Sequence, residues 1–372
     1  MVKKFILLLG IMTMIVGMSG CGKSDKKEEV KKQEEVKEEN KKVVSLITDF
    51  GNIDDKSFNE GAWNGLLKFA ETHDYEKNYY RALFDSDDER KKAMAQAIEE
   101  GADILICPGS QFQKVFYDVQ DKYKDKMLLI IDSEPKDDNG KTVMSENVHC
   151  ILYKEEEVGY LAGYAAIMEG YRKLGFLGGM EFEAIQRFGY GYVQGAEAAA
   201  KELNLKKNEV EIKYWYGGGF QPTKKITKQM RDWYKSGTEV IFSCGGGILY
   251  SVIEAAGDDE NRKIIGVDSD QADESDQIIF SAMKGLTESV NNALVALYEN
   301  GGKWPEDLAG KTSHVGVKEN SVGLSATENS WRMKNFSIDD YNKAYKKLQK
   351  GDLNINDKEL PKLEYVDYQY IK

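Results

Sequence analysis

Val43-Val44-Ser45-Leu46-Ile47-Thr48-Asp49-Phe50-Gly51-Asn52-Ile53-Asp54-Asp55-Lys56-Ser57-Phe58-Asn59-Glu60 holds a strand, a loop and the start of a helix in one run. Val43 to Thr48 is β-branched and apolar enough to be a strand of a parallel sheet buried on both faces. Ser57 with Glu60 fits a capping box, so a helix is expected from Phe58, its free backbone N–H groups facing the space beyond the strand. Parallel α/β sheets bind ligands outside the carboxyl ends of their strands. That rule puts Asp49, a hydrogen-bond acceptor, and Phe58, a flat ring, at a binding position. Taken alone, the loop equally fits Phe58 as a core residue and Asp54 and Asp55 as turn residues in solvent.

The same alternation continues outward. Strand-like runs recur at Tyr79 to Phe84, Ile104 to Cys107, Met127 to Asp132, Leu174 to Leu177, Val210 to Tyr216, Val240 to Cys244 and Ile264 to Val267. Helical spacing separates them, as in Phe58, Ala62, Leu66 and Phe69. This pattern predicts α/β architecture, with parallel sheets covered by helices on both faces. The strands are too numerous for one small sheet and imply two doubly wound lobes. Asn147 to Tyr153 reads as a strand leading into Glu155-Glu156-Glu157 and a helix through Met168, after which the pattern restarts at Leu174. With no Pro- or Gly-rich linker between the halves, ordered hinge strands are expected.

Upstream, Lys3 and Lys4 precede an apolar run from Phe5 to Met18, too short to span a bilayer and suited to the core of an export signal. It ends in Met18-Ser19-Gly20-Cys21, which resembles a bacterial lipobox. Residues 1–20 are therefore read as a lipoprotein signal peptide and Cys21 as the lipidated residue. From Lys23 to Lys42 only Val30 and Val36 are apolar, too few to offset ordering entropy, so 21–42 is expected to be a charged flexible tether.

The 372 residues carry 51 basic and 63 acidic side chains, a net charge of -12. An acidic chain is a poor binder of phosphate backbones, so nucleic acid is not an expected partner. Cys107, Cys150 and Cys244 remain beside Cys21, an odd number, with burial as small hydrophobes their expected fate.

Two glycine-rich loops follow strands: Tyr214-Trp215-Tyr216-Gly217-Gly218-Gly219-Phe220, and Ser243-Cys244-Gly245-Gly246-Gly247-Ile248-Leu249-Tyr250. Glycine lets backbone approach a ligand, and a neighbouring aromatic supplies a flat face. Neither loop has the signature of a phosphate or dinucleotide site, so no cofactor is expected. Asp268 stands at another strand end, where a carboxylate can accept two bonds from vicinal hydroxyls, and Lys284 is within plausible reach of the same ligand.

Asp54-Asp55-Lys56-Ser57-Phe58-Asn59 with Trp63 and Gly65 resembles the signature of the basic membrane protein family, substrate-binding lipoproteins of ABC transporters that include purine nucleoside receptors. The resemblance continues in order through Tyr160-Leu161-Ala162-Gly163, Gly175-Phe176-Leu177-Gly178-Gly179-Met180, Cys244-Gly245-Gly246-Gly247, Gly266-Val267-Asp268-Ser269-Asp270-Gln271 and Val322-Gly323-Leu324. It implies a type I periplasmic-binding fold, two lobes joined by three crossover strands, here 43–153 plus 285–312 and 154–284 plus 313–372. It also implies a nucleoside between the lobes, with Asp49 on the base, Phe58 and Asn59 beside it, Gly246 in the third loop, Asp268 on the ribose, and Lys284 nearby. The opposite ring falls to Tyr250 or Phe220. A permease and its ATPase are the implied partners, with the monomer anchored by lipid on Cys21 at the outer face of the cell membrane. The tail from Ser337 to Lys372 is longer than the pattern.

Two other readings compete. One keeps the fold and exchanges the ligand for a sugar or autoinducer. The other is a nucleoside-cleaving enzyme using Asp54 and Asp55; it is disfavoured because His73, His149 and His314 have no metal-ligand spacing and no G-x-S-x-G elbow is present, so neither catalytic residue nor metal is expected.

Overall fold

In the computed structural model the described residues are Lys41–Lys372. The signal segment, Cys21 and the tether up to residue 40 lie outside them. The first half runs β1 (Lys42–Thr48), α1 (Phe58–Thr72), β2 (Tyr75–Arg81), α2 (Asp87–Glu99), β3 (Ala102–Pro108), α3 (Gln113–Val119), β4 (Met127–Ile131) and β5 (Val148–Tyr153). The second runs α4 (Glu155–Glu169), β6 (Lys173–Gly178), α5 (Glu183–Glu202), β7 (Val210–Tyr216), α6 (Lys224–Lys235), β8 (Val240–Cys244), α7 (Leu249–Ala256), β9 (Lys263–Asp268) and β10 (Ile278–Lys284). There follow α8 (Leu286–Glu299), β11 (Lys311–Val315), β12 (Val322–Leu324), α9 (Ile338–Gln349) and β13 (Val366–Tyr370).

These strands form two sheets, in the orders β11-β5-β4-β3-β1-β2 and β12-β10-β9-β8-β6-β7-β13. All neighbours are parallel except β12, which runs antiparallel to β10. Burial follows from the sequence: β3, β4, β8 and β9 are nearly continuous apolar runs, and apart from Asp103, Met127 and Lys263, which are half-buried, they are buried throughout. The chain passes between the sheets three times, at Tyr153–Glu155, Lys284–Leu286 and Val315–Val322. Helix α8 returns to pack on α1, whereas α4 packs on α5 and β12.

The α4–α5 contact depends on glycines spaced four apart on both helices. A Cβ at Gly163 would lie 1.9 Å from the Tyr192 carbonyl oxygen, and one at Gly195 would lie 1.9 Å from that of Tyr160. Gly159 and Gly191 are nearly as tight, at 2.2 and 2.1 Å from backbone oxygens. The helices thus touch backbone to backbone.

The second strand departs from the sequence reading. β2 starts at Tyr75 and ends at Arg81, so Leu83 and Phe84 fall in the following loop, each 68% exposed. Apolarity misleads here because β2 is an edge strand, only partly covered along its length. The short β11, β12 and β13 lie at sheet edges as well. Cys107, Cys150 and Cys244 are all buried free thiols.

Candidate functional site

The carboxyl ends of β1, β3 and β4 face those of β6, β7, β8 and β9 across a cavity of about 350 Å³, within the range of small-molecule sites. Asp49, Phe58, Asn59, Phe220, Gly246, Asp268 and Lys284 all line it. Tyr250 does not: it sits in the first turn of α7, 40% exposed, its hydroxyl donating to Glu274 Oε2 at 2.8 Å. The turn between Gly246 and Leu249 carries residue 250 away from the cavity, so of the two candidate rings only Phe220 faces it. Phe220 has a companion that the sequence reading missed, Phe182, whose ring centre is 5.9 Å away. Gly179 makes room for that pair, since a Cβ there would lie 2.4 Å from the Phe220 ring.

The start of α1 is built differently from the expected capping box. Ser57 makes no side-chain cap. Instead Asp55 accepts the backbone N–H groups of Ser57 (2.9 Å), Asn59 (3.0 Å) and Glu60 (3.0 Å), so these donors are not free to hold a ligand. Burial nonetheless pushes the Asp55 carboxyl up to about 6. Asp54, by contrast, is exposed, so the two aspartates share no site. Ser57 points across to the second sheet, donating to Asp268 Oδ2 at 2.7 Å. Two more bonds cross at the same place, from Gln271 Nε2 to the Lys56 carbonyl (3.0 Å) and from the Ser269 hydroxyl to the Ser57 carbonyl (3.3 Å).

Asp49 lies in the loop beyond β1 with both oxygens occupied: Oδ1 accepts from Gly51 N (2.8 Å) and Oδ2 from Gln111 Nε2 (2.7 Å). Burial raises its pKa against the Gly51 N–H bond and the charge of Arg90. Asp268 ends β9 with a left-handed φ of 63°, a conformation aspartate tolerates, and burial pushes its carboxyl up while Lys284 and Ser57 oppose the shift.

Lys284 is far from a surface lysine. Its ammonium is buried between Asp132 Oδ2, within hydrogen-bond distance, and Glu155 Oε1, 2.9 Å away, and lies 5.1 Å from the centre of the Phe58 ring. Arg187 Nε donates to the other Glu155 oxygen at 2.6 Å. Burial disfavours the lysine cation, but Asp132, Glu155 and Asp268 together outweigh it and hold the charge. Three carboxylates thus face two cations. Asp132 carries the consequence: burial raises its pKa, and its Oδ1 has no partner among the described residues while it lines the cavity. The sequence held a signal for it, since Ile131-Asp132-Ser133 after β4 parallels Val267-Asp268-Ser269, and both aspartates take a φ near +63°.

A family model described as ABC transporter substrate-binding protein, PnrA-like, matches residues 41–359, so α9 falls inside the match and only the last residues, with β13, lie past it. Basic membrane protein A of Borreliella burgdorferi is 31% identical over 323 residues, 86% of each chain. A CD4+ T-cell-stimulating antigen of Listeria innocua is 28% identical over 92% of this chain and 95% of its own. An ABC transporter nucleoside-binding protein, BmpA of Lactococcus lactis, is 28% identical over 61% of this chain and 64% of its own. Among solved structures, an ABC transporter solute-binding protein from Aeropyrum pernix superposes with a TM-score of 0.70 at 21% identity, covering 84% of this chain and 92% of that one, a likeness of fold.

Proposed function

The chain belongs to the family of PnrA-like ABC transporter substrate-binding proteins, and from that premise we propose that it captures a nucleoside, a purine nucleoside first, and delivers it to a membrane permease powered by an ATPase. The observation that carries this reading is one cavity combining Phe58, the Phe220–Phe182 pair and a set of buried carboxylates around Lys284. Aromatic faces suit a planar base, at about 1–3 kcal/mol per stack. Asp268 and the unpartnered oxygen of Asp132 suit sugar hydroxyls. A sugar alone would leave the aromatic faces without a planar partner. The paired-aspartate reading loses its chemistry, because Asp55 spends its carboxylate on the start of α1.

We place the anchor at Cys21, the folded monomer outside the cell membrane, and the hinge at the three passages between sheets. On this reading the two lobes are the units of motion, with closure gripping the ligand; the boundary expected at 312 moves to the end of β11, because Lys311–Val315 pairs with β5 in the first sheet, giving 43–153 plus 285–315 and 154–284 plus 316–372.

Calorimetry with adenosine, 2'-deoxyadenosine and adenine tests the assignment. Adenosine is expected to bind tightest, and the 2'-deoxy compound at least fivefold weaker, because a buried acceptor is left unpaired at about 1–3 kcal/mol. Equal affinities for all three would remove Asp268 and Asp132 from the role given them.

A further inference from the structure

We infer that Gln111 reads the edge of the bound base, with Asp49 holding its amide so that only the carbonyl oxygen is offered to the ligand. The inference rests on the nucleoside reading above and deepens it to a rule about which bases bind.

Gln111 follows β3 in the short turn Ser110–Phe112, reaches back over Gly109 and lines the cavity. Its Nε2 donates to Asp49 Oδ2 at 2.7 Å. An amide alone is ambiguous, since either end can face either way. A carboxylate removes the ambiguity because, when ionised, it only accepts, so the NH2 end must face Asp49. Asp49 is itself fixed by Gly51 N on its other oxygen. Oε1 is thereby left outward, and among the described residues no donor reaches it. Oε1 and the Phe58 ring both flank Gly109, where a Cβ would be 3.0 Å from Gln111 Oε1 and 4.0 Å from Phe58 Cε1, and both residues line the cavity. A base lying on the Phe58 ring therefore presents its edge to a bare, oriented acceptor.

An acceptor in that position selects bases carrying an N–H donor on the facing edge. It also reassigns Asp49, which acts as a positioning residue through Gln111.

Two ligand pairs provide the test: adenosine against purine riboside, which lacks the amino group, and inosine against 1-methylinosine, in which a methyl replaces the ring N–H proton and whose added bulk is controlled by repeating the pair on Gln111→Met. Calorimetry on the whole protein is expected to give at least a tenfold preference for the donor-bearing member of at least one pair. In Gln111→Met, which keeps length and loses the acceptor, that preference should fall to within twofold. In Asp49→Asn, whose amide supports either orientation of Gln111, the preference should shrink. Circular dichroism confirms that both variants are folded. If adenosine binds with no preference in either pair, or the preference survives unchanged in Gln111→Met, the inference falls and the nucleoside reading stands. If no nucleoside binds the parent protein, both fall together.

Discussion

Phe58→Ala is expected to weaken adenosine binding about tenfold or more in calorimetry, because it removes a ring that lines the cavity and with it one stack. The place of Asp268 at the cavity is legible because a carboxylate ending an apolar strand stands out, and that of Phe58 because it follows a loop of turn formers. Tyr250 misled because one helical turn decides whether a ring beside a glycine loop faces the cavity. Lys284 is a candidate from the sequence, but its buried partners Asp132 and Glu155, distant along the chain, are found only in the fold. Glu156 offers a prediction in pH. It is buried with one oxygen unpartnered, and burial pushes its carboxyl up to about 8 from 4.5. A raised carboxyl pKa favours the native state below the unfolded value, and that advantage is lost as pH climbs from about 4.5 through 8. Glu156→Gln should flatten this slope and leave the variant more stable than the parent at pH 9 by about 1–3 kcal/mol. Urea titrations across pH measure both, and identical slopes would show the burial cost to be relieved elsewhere.

Secondary-structure elements were legible where they are long and buried, and illegible where they are short and at an edge. β1, β7 and β8 fall where their apolar runs put them, within a residue, whereas β11 (KTSHV) and β13 (VDYQY) are polar because one side has no neighbour to bury it. The start of α1 was found but its cap was not, since Asp55 and Ser57 both fit the position and only the second sheet decides between them. Asp55→Ala should therefore cost more stability than Ser57→Ala, about 1–3 kcal/mol, because it strips partners from three backbone N–H groups. Comparable denaturation midpoints would contradict this. The contact of α4 with α5 gives a harsher test. Gly163→Ala must separate two backbones that meet at 1.9 Å from the added carbon, so a loss above about 3 kcal/mol, or failure to fold, is expected by thermal melting.

At the scale of the molecule, the sequence disclosed two sheets with ligand-facing loops, but not that the sheets would be tied together. Ser57 to Asp268, Gln271 to the Lys56 carbonyl and Lys284 to Asp132 all run between them, so the described arrangement is closed by the protein's own bonds. The double substitution Ser57→Ala with Gln271→Ala is expected to enlarge the radius of gyration measured by X-ray scattering without ligand, and adenosine should restore the compact value. An unchanged radius would show that closure does not depend on these bonds. The order of the chain has its own outcome. The first sheet acquires its last strand, Lys311–Val315, only after every strand from Lys173 to Lys284 has been made. Neither half is thus a contiguous stretch able to finish ahead of the other during synthesis. Until that late strand arrives, β5 presents an unpaired border, so the first sheet can be completed only once the strands of its neighbour from Lys173 to Lys284 have emerged.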